Sequence, residues 1–294
     1  MIKIKDPKLL FEIRSKLTYA NEDDPLSKRL IINAIERASG RQKLEKLYDE
    51  VRAMNIAPIE VWETILQKLN IHIQYDKAQL ARVPVDHPVV FIANHPFGVV
   101  DGLILGYLVS KVRKKFAILV NEVLCREPLF DPFFLPIDFR ETKEATQTNI
   151  DTRKKTMARL KAGEALAIFP AGGVATSPQF WAKPEDLEWK RFVTKIIQVT
   201  QATVIPVFVH GRNSRLFQVA SQVSLSLRLS LLLREAKNKI GTQIQVSVGD
   251  PISYAELSEI KDRQVLLDFL RSKTFELANN QANSKPQKSR KKKP

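Results

Sequence analysis

Short apolar runs rich in β-branched residues alternate with longer helical patterns from residue 71 onward, and this alternation most constrains the fold. Segments at 71–75, 89–92, 116–120, 165–169, 203–209 and 243–248 are typical of strands. Helical segments at 102–112, 143–162 and 187–200 separate several of them, and Thr142 and Gly163 are suited to cap the second one. Strands that alternate with helices form largely parallel sheets covered on both faces. We therefore predict an α/β fold, with a mostly parallel central sheet flanked by helices.

The first seventy residues show a helical pattern without strand candidates. Apolar residues recur at helical spacing in four stripes, at 9–17, 30–35, 44–54 and 62–69. Four amphipathic helices joined by short loops predict an N-terminal helical bundle over 1–70, followed by an α/β domain over 71–278. The segment 279–294 holds six basic residues and no acidic one, which predicts a disordered basic tail.

The charge of the chain indicates the kind of partner. Lys and Arg number 47 against 32 acidic residues, giving a net charge of +15 and a pI near 9.8. Such an excess favours an anionic membrane surface, an acidic protein or nucleic acid. Nucleic acid is the least favoured, since no zinc-finger or RNA-binding signature is present. The longest uncharged run, 196–211, is too short and too polar to cross a bilayer, and no signal peptide is visible. We expect a cytoplasmic protein bound peripherally to the inner face of the membrane.

The segment 89–102 carries the most informative chemistry. A buried strand ends at Asn94, His95 follows in a turn, and Asp101 lies six positions later at the start of the next helix. Ligands of open α/β sheets bind at the carboxyl ends of strands, where this histidine falls. An imidazole can take a proton, and a carboxylate can fix its tautomer and stabilise the imidazolium. Taken alone this pair is weak evidence, because most histidines at strand ends are only hydrogen-bonded.

Three further blocks follow in order, Leu-Pro-Ile-Asp-Phe-Arg at 135–140, Ala-Ile-Phe-Pro-Ala-Gly-Gly at 167–173 and Val-Ile-Pro-Val at 204–207. Together with Asn-His-Pro-Phe-Gly at 94–98, this set resembles the four blocks of the glycerolipid acyltransferase superfamily. That superfamily includes glycerol-3-phosphate and lysophosphatidate acyltransferases. The resemblance spans about residues 89–209. The residues within the blocks are similar to those of a bacterial branch with haemolysin-like and ornithine-lipid acyltransferase-like members.

The resemblance implies a role for each matching residue. His95 would be the general base and Asp101 its orienting partner, while Arg140 would hold the anionic head group of the acceptor. Pro206 would lie next to the acyl-chain groove. The remaining positions would bind substrate: Asn94, Pro96, Phe97, Gly98, Phe169, Pro170, Ala171, Gly172 and Gly173. The chain departs from the superfamily at two points, with five residues rather than four between His95 and Asp101, and with Ala171 where a glutamate is usual.

The reaction that the resemblance implies is direct acyl transfer to a lysophospholipid or a related polar-lipid acceptor. His95 would take a proton from an acceptor hydroxyl or amine, which attacks the thioester carbonyl of acyl-CoA or of an acyl-carrier protein. These carriers are co-substrates, and we expect no other cofactor and no metal. Backbone N–H groups of Gly172 and Gly173 are candidate oxyanion donors. The absence of Gly-x-Ser-x-Gly argues against a serine hydrolase.

Some of these residues also have a purely structural interpretation. Arg140 could simply pair with Asp138 or Glu141, and Pro206 could mark a strand edge or a bulge. Cys125, the only cysteine, excludes an internal disulfide and is expected to be inert. His210 is at most a supporting residue. The two departures also leave open a non-catalytic lipid-binding protein on the same fold.

Overall fold

A seven-stranded sheet forms the centre of the computed structural model, which describes residues 41–279 except 127, 180 and 224. The strands are β1 (His72–Gln74), β2 (Val89–Ala93), β3 (Phe116–Asn121), β4 (Phe134–Ile137), β5 (Ala165–Ile168), β6 (Thr203–Val209) and β7 (Gln243–Val248). Their spatial order is β1-β7-β6-β2-β5-β3-β4. The five strands from β6 to β4 run parallel, whereas β7 is antiparallel to β6 and parallel to β1. The predicted α/β class and mostly parallel sheet are confirmed.

Helices cover both faces of this sheet. They are α1 (Arg41–Ala53), α2 (Val61–Lys68), α3 (Lys77–Leu80), α4 (Val99–Val112), α5 (Lys143–Lys161), α6 (Phe192–Thr200), α7 (Arg215–Val223), α8 (Leu225–Asn238), α9 (Tyr254–Ser258) and α10 (Arg263–Glu276). The predicted caps of α5 are confirmed, since the Ala145 N–H donates to Thr142 Oγ1 at 3.1 Å and Gly163 has a φ of 82°. Within the described ranges, no helix has both the length and the apolar content that crossing a bilayer requires.

The central strand β2 separates two buried clusters. All five of its residues are buried, which explains its uninterrupted apolar sequence. Successive side chains of a strand point to opposite faces. Accordingly, Val89, Phe91 and Ala93 pack with α1, α2, α4 and α8 on one face. Val90 and Ile92 pack with α5, α6, α9 and α10 on the other face.

The stripes expected at 44–54 and 62–69 fall on α1 and α2. Val51 of α1 and Trp62 of α2 belong to the same buried cluster as Phe91, so both helices pack onto the helices and strands of the sheet domain. The stripes at 9–17 and 30–35 and residues 280–294 of the expected tail lie outside the described residues.

Helix α6 begins at Phe192 rather than at the predicted residue 187. The preceding residues are held by the site instead: the Lys190 N–H donates to Pro170 O at 2.9 Å. This hydrogen bond ties the segment before α6 to the turn that follows β5. Helix α4, in contrast, begins three residues before its predicted start, at Val99.

Candidate active site

His95 lies where two parallel strands end side by side. Ile92 of β2 is opposite Ile168 of β5, so the residues that follow both strands meet at one edge of the sheet. The backbone of His95 is fixed on two sides. Its N–H donates to Asp186 Oδ1 at 3.0 Å, and its carbonyl oxygen accepts from the Ala175 N–H at 2.8 Å.

The imidazole of His95 is hydrogen-bonded to Asp101. Nδ1 of His95 lies 2.9 Å from Oδ2 of Asp101. The same oxygen accepts the N–H groups of Phe97 at 2.7 Å and Gly98 at 2.9 Å. With Nδ1 as the donor to a carboxylate, Nε2 keeps the lone pair that can accept a proton.

The turn between His95 and Asp101 brings their side chains together although five residues separate them. Gly98 has a φ of 93°, a conformation that side-chain-bearing residues rarely adopt, and it serves as the N-cap of α4. Asp101 is the third residue of that helix and is completely buried. A carboxylate is favoured at a helix N-terminus, where unpaired N–H groups and the helix dipole attract negative charge.

Phe169 packs against the imidazole of His95. Its ring is stacked on that of His95, with centroids 4.2 Å apart and planes at 17°. Only 16% of the His95 side chain is exposed. The ring is thus held by one hydrogen bond and one stacked face.

Asp186 is a functional candidate that the sequence did not reveal. Its Oδ1 accepts from the His95 N–H, and its Oδ2 accepts from Trp189 Nε1 at 3.0 Å. Burial raises the pKa of the Asp186 carboxyl, against the effect of these two hydrogen bonds. Asp186 lies in an irregular segment without periodicity, and only contact with His95 identifies it.

His95 forms part of the wall of a cavity of about 1040 Å³. This volume is at the upper end of the range typical of small-molecule pockets, roughly 300–1,000 Å³. Much of the lining is apolar: Leu44, Leu47, Trp62, Ile65, Leu69, Leu103, Phe130, Phe134, Leu232, Leu233 and Ala236. The lining also contains basic side chains, which are Arg140, Arg153, Lys190 and Arg228. The cavity can therefore hold a long apolar chain together with an anionic group.

The profile of the Acyltransferase family matches residues 48–284, which includes the histidine, the aspartate and nearly all of the described chain. The chain belongs to this family. The prediction of an acyltransferase enzyme of the glycerolipid acyltransferase superfamily is thereby confirmed.

Two curated relatives of the acyltransferase are lyso-glycine lipid O-acyltransferases, from Phocaeicola vulgatus and Bacteroides thetaiotaomicron. Each is 28% identical over 207 residues, which cover 67% of this chain and 71% and 73% of the two relatives. Among solved structures, the 1-acyl-sn-glycerophosphate acyltransferase of Thermotoga maritima aligns with 87% of this chain and 98% of its own. That alignment has 12% sequence identity and a TM-score of 0.48.

Seven of the sequence-predicted site residues line the cavity of the acyltransferase. They are His95, Gly98, Arg140, Phe169, Pro170, Gly172 and Gly173. Asp101 is not part of the lining and is connected to it by its hydrogen bond to His95.

The structure places the other predicted site residues away from the cavity lining. Asn94 exchanges two hydrogen bonds with the backbone of Val209, at 2.7 and 3.0 Å, and so extends the pairing of β2 with β6. Ala171 packs in the cluster on the opposite face of the sheet. The other three, Pro96, Phe97 and Pro206, are buried.

Pro206 lies inside β6, an inner strand, opposite Ile92 of β2. Its carbonyl oxygen accepts the Gly249 N–H at 2.8 Å, and the β7 ladder begins one residue later, at Val207. The position that lacks an N–H therefore lies just before β6 begins to pair with β7.

Arg140 lines the cavity but is also tied to two carboxylates. Its Nη2 lies 2.6 Å from Asp138 Oδ2 and 3.1 Å from Glu122 Oε2. The guanidinium holds the pKa of the Asp138 carboxyl well below its usual range. Asn149 anchors the same loop, since its side-chain amide forms hydrogen bonds of 2.9 and 2.7 Å with the backbone of Asp138. The pairing of Arg140 with Asp138 agrees with the structural interpretation, with Glu122 in place of Glu141.

The turn after β5 corrects one expectation about the oxyanion donors. The Gly172 N–H donates to Phe169 O at 2.9 Å, so this group already serves the turn. The Gly173 N–H makes no hydrogen bond to another described residue. It stays a candidate donor in the wall that also contains His95.

Proposed function

We propose that the enzyme transfers a fatty acyl group from a thioester donor to a free hydroxyl of a lysolipid. The donor is acyl-CoA or an acyl-carrier protein. The observation that carries this proposal is the His95–Asp101 pair in the wall of a large and mostly apolar cavity. The acceptor class is supported by the two curated relatives, which are lyso-glycine lipid O-acyltransferases.

His95 acts as the general base. Nε2 takes the proton of the acceptor hydroxyl while the hydroxyl oxygen attacks the thioester carbonyl carbon. This carbon becomes tetrahedral, and the carbonyl oxygen becomes an oxyanion. The C–S bond then breaks, the acyl ester forms, and the leaving thiolate takes the proton from the imidazolium. Asp101 keeps Nδ1 protonated and stabilises the imidazolium between the two steps. General-base catalysis of this kind contributes about 10²–10⁴-fold in rate.

The apolar part of the cavity supports the assignment of an acyl substrate. Trp62, Phe130 and Phe134 form an aromatic group in its wall, with ring centroids 4.8–6.0 Å apart. Each methylene of an acyl chain that leaves water for such surroundings gains about 0.8 kcal/mol. A fatty chain can therefore be bound by many small contributions without a specific polar contact.

The basic charge supports the choice of donor and the site of action. The phosphates of coenzyme A, an acidic carrier protein and an anionic membrane surface are all attracted by a chain with a net charge of +15. Each basic residue near an anionic membrane contributes about 1 kcal/mol to binding. We propose peripheral binding at the inner face of the cytoplasmic membrane, where lysolipids are presented.

An acyl-transfer assay with purified protein tests the proposal. Labelled acyl-CoA and labelled acyl-carrier protein are incubated separately with vesicles that contain a lyso-amino-acid lipid or a lysophospholipid. We expect one new acyl ester in wild type and its loss in His95→Ala. His72→Ala is the matched control, because His72 is an exposed histidine that bonds Asn70 and does not line the cavity.

Two outcomes would contradict the proposal. Absence of transfer with every donor and acceptor, while the protein binds a fluorescent fatty acid, would instead indicate a non-catalytic lipid-binding protein. Full transfer by correctly folded His95→Ala would remove the proposed base.

A further inference from the structure

Arg228 of α8 lines the same cavity and differs from the basic side chains around it. Its Nη2 donates to the carbonyl oxygen of Val174 at 3.1 Å. Its Nε is fully buried and has no hydrogen-bond partner in the part of the chain that the structure describes. No ion pair among the described residues includes Arg228.

The other cavity cations have partners. Arg140 is paired with Asp138 and Glu122. Arg153 stacks on the ring of Phe192, 5.0 Å from its centroid. Lys190 is exposed and lies 3.9 Å from Glu188.

A partly buried guanidinium without a counter-ion among the described residues is unfavourable, because Val174 O replaces the lost hydration at Nη2 only and nothing described replaces it at Nε. Burial lowers the pKa of Arg228, and no acidic group in the described part of the chain opposes this effect. An arginine stays protonated in proteins even so. The charge is therefore present, and no acidic side chain of the described residues compensates it.

The position of Arg228 links it to the catalytic histidine through one short segment. Val174 accepts the hydrogen bond from Arg228, and the next residue, Ala175, donates its N–H to His95 O. Gly173 makes this approach possible, since a Cβ built there would lie 3.2 Å from Nη2 of Arg228. The guanidinium and the imidazole are thus attached to the same loop and line the same cavity.

We propose that Arg228 binds the anionic head group of the acceptor, a carboxylate or a phosphate, and so determines which lysolipids are acylated. This inference rests on the proposed function. Nη1 and the second hydrogen of Nη2 can form two parallel bonds to one such group. The phosphates of coenzyme A are separated from its thioester by the long pantetheine arm, which favours the acceptor as the source of an anion held beside His95.

The experiment compares acceptors that differ only in charge. A lysolipid with a free carboxylate is assayed against its methyl ester, and lysophosphatidate serves as the phosphate acceptor. The variants are Arg228→Met, which removes the charge, and Arg228→Lys, which keeps it. Arg234→Met is the control, because Arg234 is exposed on the same helix and does not line the cavity.

In Arg228→Met we expect kcat/KM for the anionic acceptors to fall about 10- to 100-fold, mainly through KM. The methyl ester, the KM of the donor and the Arg234→Met variant should be unaffected. Arg228→Lys should restore part of the loss. Because Arg228→Met also removes the hydrogen bond to Val174 O, its melting temperature is measured and the assays are run well below it. The carboxylate and phosphate arms show which anion is preferred.

Equal losses for the acid and its ester, no loss at all, or a raised KM for the donor would each overturn the inference. Equilibrium binding of the acid and the ester to wild type and Arg228→Met is measured in parallel. If wild type shows no turnover, the proposed function fails, and the binding data still decide whether Arg228 recognises the anion.

Discussion

The ring of Phe169 lies against the ring of His95, with the centroids 4.2 Å apart and the planes 17° from parallel. The two residues follow β2 and β5, which are far apart in sequence and adjacent in the sheet. Stacking fixes one face of the imidazole, and the bond from Nδ1 to Asp101 fixes its rotation. The orientation of the remaining nitrogen, Nε2, is therefore fixed, as the proposed general base requires.

Asp186→Asn tests whether Asp186 positions His95. The His95 N–H and Trp189 Nε1 bond different oxygens of Asp186, and an asparagine replaces one of these oxygens by an NH2 group that only donates, so one of the two bonds is lost. We expect kcat to fall about tenfold, with the KM of the donor unchanged, as for a residue that acts through another. Unchanged kcat would contradict this role.

The difference in stability between wild type and Asp186→Asn should depend on pH. The pKa of Asp186 is raised by burial, so the folded protein binds its proton more tightly than the unfolded chain does. The stabilising effect is complete below the unfolded pKa, about 3.9, and is lost as the pH rises through the folded value. In urea unfolding at a series of pH values, wild type should therefore lose stability relative to Asp186→Asn as the pH increases from 4. A constant difference would contradict the raised pKa.

Gly106→Ala tests the close packing of α4 on α2. A Cβ at Gly106 would lie 2.3–2.5 Å from ring atoms of Trp62, which is fully buried. We expect a loss of about 1–3 kcal/mol in the free energy of unfolding, as for overpacking. Gly102→Ala on the same helix is the control, because a Cβ there meets nothing within 4 Å, and it should stabilise by about 0.5–1 kcal/mol. Equal effects of the two changes would be inconsistent with this packing.

Gly102→Leu tests where the acyl chain lies. Gly102 lines the cavity and faces open space, so a leucine side chain would occupy volume that a chain could otherwise fill. Each excluded methylene should cost about 0.8 kcal/mol of binding, roughly fourfold in affinity. When acyl donors of different chain length compete, Gly102→Leu should shift the preference of the enzyme to shorter acyl chains. Gly102→Ala should change this preference little. A lower rate with unchanged preference would place the chain elsewhere.

Cys125→Ser should retain full acyl transfer. Burial raises the pKa of the Cys125 thiol to about 11, with further effects of Glu122 and Asp131. At pH 7 only about one thiol in ten thousand is then ionised, so Cys125 is a poor nucleophile. Treatment with an alkylating reagent at pH 7 should leave the rate unchanged, and inactivation that Cys125→Ser prevents would contradict this expectation.

The central strands and their helices could be predicted because their signals are local. The run at 89–93 is apolar at every position, and the helix at 143–161 has a cap at each end. Strand β4 could not be predicted, since it has four residues and includes Pro136. Helix α8 was not predicted either, because leucines at alternate positions from 225 to 231 imitate the period of a strand.

The candidate site was predictable only as far as its residues lie within the four blocks. His95 and Asp101 lie close together in the sequence, and the resemblance of the first block identified them as a pair. Asp186 and Arg228 reach the site from an irregular segment and from an unpredicted helix. Their roles depend on contacts between parts of the chain that no local pattern connects.

A double-mutant cycle on His95 and Asp101 measures whether the two side chains act together in acyl transfer. His95→Gln, Asp101→Asn and the double variant are compared with wild type in acyl transfer at saturating donor and acceptor, after folding has been checked. Asp101→Asn places an amide nitrogen where Oδ1 is buried without a partner, so a stability loss of about 1–3 kcal/mol is expected. Assays are therefore run well below its melting temperature.

We predict that His95→Gln alone lowers kcat about 10²–10⁴-fold and that adding Asp101→Asn lowers it no further, because the two groups act as a unit. Losses that add independently would show that the two residues do not act as a unit, and a folded His95→Gln enzyme with the wild-type rate would show that His95 is not the base.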